Sequence, residues 1–358
     1  MSSGEPTRPD TGEGASRAIR LVAIGGGTGL STILKGLKRY HRRQARAGKP
    51  KPKLPFSIAD IAAVVTVTDD GGSSGRLRKD LNILPPGDIR NCIVALSEDE
   101  ALLSKLFQYR FTAGEGLEGH NFGNLFVAAL TAITGDFSEA VKVSSAVLNT
   151  RGQIYPCTTS NVQLDALMDD GSRVRGETKI TASKRRVVDL RLVPANANPL
   201  PQVLEAIGKA DLITIGPGSL FTSLIPNLLV QGIPQAIANS PATKVFICNL
   251  MTQANESLNM TAADHIRAID EHAACKLFDY ALVNTRNVSE QMRQKYAAEN
   301  ASQIVYDADA ITKLGVKAVL GDFLEEAEVA RHASDRVAQA LFNLLGKNSP
   351  PPTRVHSS

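Results

Sequence analysis

The stretch RLVAIGGGTGLSTILKGLK, residues 20–38, constrains the fold more than any other part of the chain. A short apolar, β-branched run enters a glycine turn, and Leu30, Ile33, Leu34 and Leu37 then recur at helical spacing. The next apolar run, IADIAAVVTVTDD at 58–70, is almost continuously hydrophobic, as a strand covered on both faces of a parallel sheet must be. Two such strands around one helix make a βαβ unit. The alternation returns in DLITIGPGSLFTSLIPNLLV and TKVFICNLMTQANES, and further strands are expected at YALVNT, QIVYD and VKAVLGDFL. A last amphipathic helix is expected over EVARHASDRVAQALFNLL. The fold class is therefore α/β, a mostly parallel sheet flanked by helices. Residues 154–193 interrupt it with an antiparallel β insertion, whose hairpin turn is placed at Asp170 and Gly171.

At 358 residues with 43% hydrophobic content, the chain is long enough to bury one large core. We expect a single domain over 19–346 and disordered tails at 1–18 and 347–358. Cys92, Cys157, Cys248 and Cys275 form no CxxC pair, which argues against a zinc site or a disulfide framework and for a reducing, cytoplasmic setting. No apolar run reaches the roughly 18 residues a membrane span needs, so no membrane insertion is expected.

The formal charge of +4 is unevenly spread: nine Lys or Arg residues and no acid lie between Lys35 and Lys53. A solvated helix end running into a loop accounts for this run better than a binding surface does. No recognition helix or aromatic-rich motif accompanies it, so no nucleic-acid partner is expected.

The candidate site residues cluster at strand ends, where open α/β sheets keep ligands. Gly25, Gly26, Gly27, Thr28 and Gly29 offer backbone amides at a helix start, which suits a phosphate, although the same glycines would also serve a tight packing turn. The motif is neither a Walker loop nor a complete dinucleotide fingerprint, since Leu30 stands where a third small residue belongs. In TDDGGSSGR, Asp69 and Asp70 can accept hydroxyls or hold Mg²⁺, Gly71, Gly72, Ser73 and Ser74 add amides and hydroxyls, and Arg76 and Arg78 add positive charge. PPGDIRN places Asp88 as a helix N-cap, with Arg90 and Asn91 in the first turn. HNFGNL groups His120, Asn121 and Asn124, and GPGSLFTS offers Gly216, Gly218 and Ser219 at a second helix start.

Together, AIGGGTGLSTILKGLK, VTVTDDGGSSGRLR, PPGDIRN, HNFGNL, GPGSLFTSLIPNLL and NLMTQ resemble the YvcK-like gluconeogenesis factors, within the superfamily of the 2-phospho-L-lactate transferase CofD. The resemblance covers about residues 19 to 345. It implies a Rossmann-like domain, a cytoplasmic location, binding of UDP-sugars such as UDP-N-acetylglucosamine, and roles in carbon metabolism, cell shape and envelope precursor supply. Tyr296 and Arg331 resemble positions tied in the family to the UDP-sugar, where a tyrosine would stack on uracil and an arginine would pair with diphosphate.

Two functions follow as expectations. One is a UDP-sugar-binding regulator with a protein partner in envelope or carbon metabolism and no catalytic residue of its own. The other is a phospholactate-type transferase, in which Mg²⁺ and Asp69 or Asp70 position a nucleoside diphosphate-linked donor. The terminal helix and the β insertion are the surfaces on which a homo-oligomer would form.

Overall fold

Seven strands pair in parallel, in the order β10-β9-β8-β7-β1-β2-β3, in a computed structural model that describes residues 17–42, 56–98, 101–183, 185–253 and 256–348. In chain order they are β1 (Arg17–Gly25), β2 (Phe56–Val65), β3 (Gln153–Pro156), β7 (Leu212–Ile215), β8 (Thr243–Ile247), β9 (Tyr280–Asn284) and β10 (Lys317–Gly321). A second sheet joins β4 (Gln163–Met168), β5 (Arg173–Arg175) and β6 (Val187–Val193), all antiparallel. A short hairpin joins β11 (Leu324–Glu326) to β12 (Ala330–His332).

The apolar runs behave as their composition requires. Ala23, Ile24, Ile61, Val64, Val65, Leu212 and Ile213 are buried, because helices cover both faces of the sheet. Helix α1 (Gly27–Lys38) turns Leu30, Ile33, Leu34 and Leu37 into this core. Ladders of three to nine residue pairs then set the register, Leu21 opposite Leu212 and Gly25 opposite Val65.

The strand order reverses beside β1: the chain runs outward through β2 and β3, then returns to β7 and continues outward on the other side. Connections therefore leave β1 and β7 in opposite directions, and a crevice opens at their carboxyl ends. It is the point in the fold where a ligand can lie between two loops without displacing a helix.

Three expectations are corrected. QIVYD does not join the sheet; Val305 and Tyr306 face solvent, Ile304 is buried, and the segment's β pairing is limited to the isolated Met251–Gln303 bridge. The last helix begins at Ser334, because Ala330–His332 pairs with β11 instead. The antiparallel lobe starts at Gln163, since β3 is the edge strand of the main sheet on β2. The hairpin at Asp170 does form, with the Ser172 N–H donating to Asp170 Oδ1 at 3.0 Å and Gly171 at φ 82°. Most of the tails and the later part of the basic run lie outside the described residues, although β1 already begins at Arg17. Among the described residues, no single helix is long and apolar enough to cross a membrane.

Candidate functional site

The crevice beside β1 gathers three of the predicted loops around a cavity of about 400 Å³. Gly26, Gly27, Thr28 and Gly29 form its floor, Gly218 and Ser219 one wall, Asn249 to Gln253 a second wall, and Tyr296 with Ala330 to His332 the rim. Gly26 is the N-cap of α1 and brings no side-chain cap, so first-turn amides other than that of Gly27 are left for an anion. A Cβ at Gly29 would lie 2.4 Å from the Pro217 carbonyl oxygen, which is why this turn must be glycine: the helix start and the β7 loop touch backbone to backbone.

The walls are held by amide side chains. Asn249 Oδ1 accepts the Gly218 N–H at 3.0 Å while its Nδ2 donates to the Gly218 carbonyl at 2.7 Å, a two-way clamp between the β7 and β8 loops. Gln253 Nε2 donates to Ser219 Oγ at 2.8 Å, and Gln253 Oε1 is buried without a partner. Asn227 Nδ2 donates to the Gly25 carbonyl at 3.1 Å and to the Ser223 carbonyl at 2.8 Å, which fixes the end of β1 against the π-helical turn Leu220–Leu224. Such a wide turn is frequent at functional sites.

At the rim, the Ala330 N–H donates to the Tyr296 hydroxyl at 3.2 Å, and the ring packs beside Leu250 and Met251. His332 donates from Nε2 to the Cys248 carbonyl at 3.0 Å, and burial holds it neutral with its pKa lowered to about 4. Arg331 lies between them, exposed, and among the described residues it forms no ion pair.

The second predicted group does not line this cavity. Ser73 Oγ lies 3.2 Å from His120 Nδ1 and accepts the Asn121 N–H, while Asn124 Nδ2 donates to Ser74 Oγ at 3.4 Å. Arg76 Nη2 donates to the Glu118 carbonyl at 2.7 Å, and Arg90 donates to Asn91 Oδ1 at 2.9 Å. The DDGGSSGR and HNFGN segments thus interlock. Burial, with the nearby Arg76 charge, lowers the His120 pKa.

Asp88 corrects its expectation. Helix α3 (Gly87–Leu96), preceded in the chain by α2 (Gly72–Leu81), takes Pro86 as its N-cap and has no side-chain cap. Asp88 instead accepts the N–H of Gly27, at the positive end of α1. Burial and the neighbouring Asp69 raise its pKa to about 6. Glu177, from the insertion, is raised to about 7 by burial and the same acids. Glu256 is buried as well, accepting Thr222 Oγ1 at 2.8 Å and the Phe221 N–H at 3.3 Å. Glu177, Glu256, Asn249 and Gln253 escaped the sequence reading; the only signal for the last two was the polar NLMTQ loop closing a strand.

Asp69 and Asp70 do not act as a pair. Asp70 Oδ1 accepts both the Thr178 N–H at 2.8 Å and its hydroxyl at 2.6 Å, so Asp70 fastens the insertion. Asp69 Oδ1 accepts the Gly71 N–H at 2.9 Å and faces the side of Asp88. Among the described residues, no group of three or more His, Cys, Asp or Glu side chains converges at metal-binding spacing. Asp69 and Asp70 thus turn to different partners, the Gly71 N–H and Thr178.

With this geometry in view, likeness to known proteins becomes interpretable. The family model for the 2-phospho-L-lactate transferase CofD matches residues 21–324. The chain is 44% identical to the gluconeogenesis factor of Bacillus subtilis, over 91% of this chain and 98% of that protein. It is 48% identical to a putative gluconeogenesis factor of a Nostoc species, over 92% of this chain and 69% of that one. A crystal structure of a UPF0052 family member from Bacillus halodurans superimposes with a TM-score of 0.84 at 45% identity, covering 91% of this chain and 99% of that one. Both the strand-end glycines and the loops that meet them fall inside the matched region, and the chain belongs to the gluconeogenesis factor family, built on a CofD-type domain.

Proposed function

We propose that the crevice binds a nucleotide-sugar of the UDP-N-acetylglucosamine kind, and that the protein is a regulator rather than a transferase. The observation that carries this reading is the convergence of GGGTG, GPGS, NLMTQ, Tyr296 and Arg331 on one cavity, from segments far apart in the chain. The diphosphate would sit at the start of α1 with Arg331 beside it, and Tyr296 would offer a ring face to the base. Asn249 and Gln253 supply amides for sugar or ribose hydroxyls. A bound ligand would bias the loops around the crevice, and so the contacts with a protein partner in envelope or carbon metabolism; for this, the ligand must bind one arrangement better than the other. A cytoplasmic location and roles in cell shape and precursor supply belong to the same reading.

A transferase reading draws on one observation, the raised carboxyl groups of Asp88 and Glu177 beside Asp69, which could exchange a proton near neutral pH. Calorimetric titration with UDP-N-acetylglucosamine, with and without Mg²⁺, separates the two, using UDP-glucose, NAD and GDP as controls and recovering the ligand afterwards. Saturable binding of an intact UDP-sugar supports the regulator. GDP binding or donor turnover in its place supports the transferase.

A further inference from the structure

A second cavity, of about 670 Å³, lies between α2 and the antiparallel insertion and shares no lining residue with the crevice at β1. On its helix side Gly71, Gly72 and Gly75 present bare backbone, and Arg78, Lys79 and Asn82 continue the same face at helical spacing. Asn161, Gln163, Thr178 and Lys179 stand opposite, and Val193 is the one apolar lining residue. The cavity's lining side chains are otherwise polar or charged, and among them no aromatic ring offers a stacking face.

Its charge points to an anion. Three cations line it, Arg78, Lys79 and Lys179, against one acid, Asp70, whose Oδ1 already accepts two hydrogen bonds from Thr178. Arg78 is 8% exposed. Its Nη2 donates to Asn161 Oδ1 at 2.7 Å and to the Val162 carbonyl, but its Nη1 is buried with no partner. A buried guanidinium nitrogen left unpaired is destabilising, and an acceptor reaching it from the cavity would offset that. The first turn of α2 adds to the pull on an anion, because its N-cap, Gly71, has no capping side chain. The amide side chains of Asn82, Asn161 and Gln163 can each donate and accept, as hydroxyl groups require.

We propose that this cavity binds a phosphorylated sugar or polyol, with its phosphate among Arg78, Lys79 and Lys179 and its hydroxyls on the amides. The space is far larger than a bare phosphate needs. The inference does not rest on the nucleotide reading of the crevice.

Calorimetric titration of the full chain with glucose 6-phosphate, inorganic phosphate and glucose tests it. Saturable binding of glucose 6-phosphate, weaker binding of phosphate and none of glucose is the expected order. Lys179→Glu, at an exposed position, should weaken glucose 6-phosphate roughly tenfold or more, while Arg331→Ala leaves it unchanged. Absence of binding, or equal binding by Lys179→Glu and the parent chain, overturns the proposal. So does displacement of glucose 6-phosphate by UDP-N-acetylglucosamine together with sensitivity to Arg331→Ala, because the ligand would then be in the crevice. Arg78→Lys keeps the charge but removes the planar fork. Lost affinity at a near-parental Tm supports the site; a lowered Tm with unaltered affinity reduces Arg78 to a counter-charge for Asp69 and Asp70. Retained sugar-phosphate binding alongside failure to bind any UDP-sugar would reject the crevice reading alone.

Discussion

Asp88 accepts a hydrogen bond from the backbone N–H of Gly27, so a carboxylate from α3 already rests against the positive end of α1. The glycine loop is thus approached from two sides, by Asp88 from behind and by the crevice in front. A Cβ at Gly26 would lie 2.8 Å from Asp88 Oδ2 and 2.6 Å from Thr66 Cγ2, which leaves no room there for a side chain.

This arrangement has a pH signature. Asp88 rises from an ordinary 3.8 to about 6, and Glu177 from 4.5 to about 7. A carboxyl group whose pKa is raised by folding binds its proton more tightly in the folded state, so its ionisation destabilises the fold. These two groups should therefore make the protein more stable as pH falls from above 7 toward 4.5. Urea unfolding at pH 7.5 and pH 5 should show the gain, and Glu177→Gln should reduce it by about 1 kcal/mol. A gain unchanged in Glu177→Gln would mean that Glu177 does not titrate in this window.

Gly29→Ala should damage both the fold and the crevice. Its methyl would fall 2.4 Å from the Pro217 carbonyl oxygen and 2.7 Å from the carbonyl carbon, so α1 and the β7 loop would have to separate. A loss of about 1–3 kcal/mol in stability is expected, with weakened UDP-sugar binding. Thermal unfolding and calorimetry on the same preparation check both; a parental Tm would show that the two loops yield freely.

Arg331→Ala should weaken UDP-N-acetylglucosamine binding about tenfold with Tm unchanged, because the side chain is exposed and forms no ion pair among the described residues. Unaltered affinity would remove Arg331 from the site.

Asp70→Asn should act on stability instead. The carboxylate takes two hydrogen bonds from Thr178, which tie the insertion to the loop after β2. We expect a loss of about 1–2 kcal/mol, matched by Thr178→Val and not additive with it. A double-mutant cycle measures the coupling, and simple additivity would show that the two residues act separately.

The strand ends and glycine turns were legible because their signals are local: apolar runs, a turn, then helical spacing. The meeting of GGGTG with GPGS was legible only as an expectation, since strand order decides which loops are neighbours and no local pattern encodes it. Asp88 was misread because an aspartate following Pro-Pro-Gly has the features of a cap, and its partner Gly27 belongs to a distant segment. Asp69 and Asp70 are adjacent in sequence, yet one faces Asp88 and the other the insertion, a divergence that depends on where Thr178 is brought. QIVYD has strand composition but meets no open sheet edge, so its propensity is overridden.

The sheet is unevenly stitched. β1 is laddered to β2 through nine residue pairs but to β7 through only four, Leu21 to Ile24 against Leu212 to Ile215. The seam between the two halves of the molecule is therefore much shorter than its neighbour, and the crevice sits at the open end of that seam. A ligand spanning α1 and the β7 loop would act as a further stitch. Its arrival should be recorded as slower amide exchange along Leu212 to Ile215, even where no atom of the ligand reaches those residues.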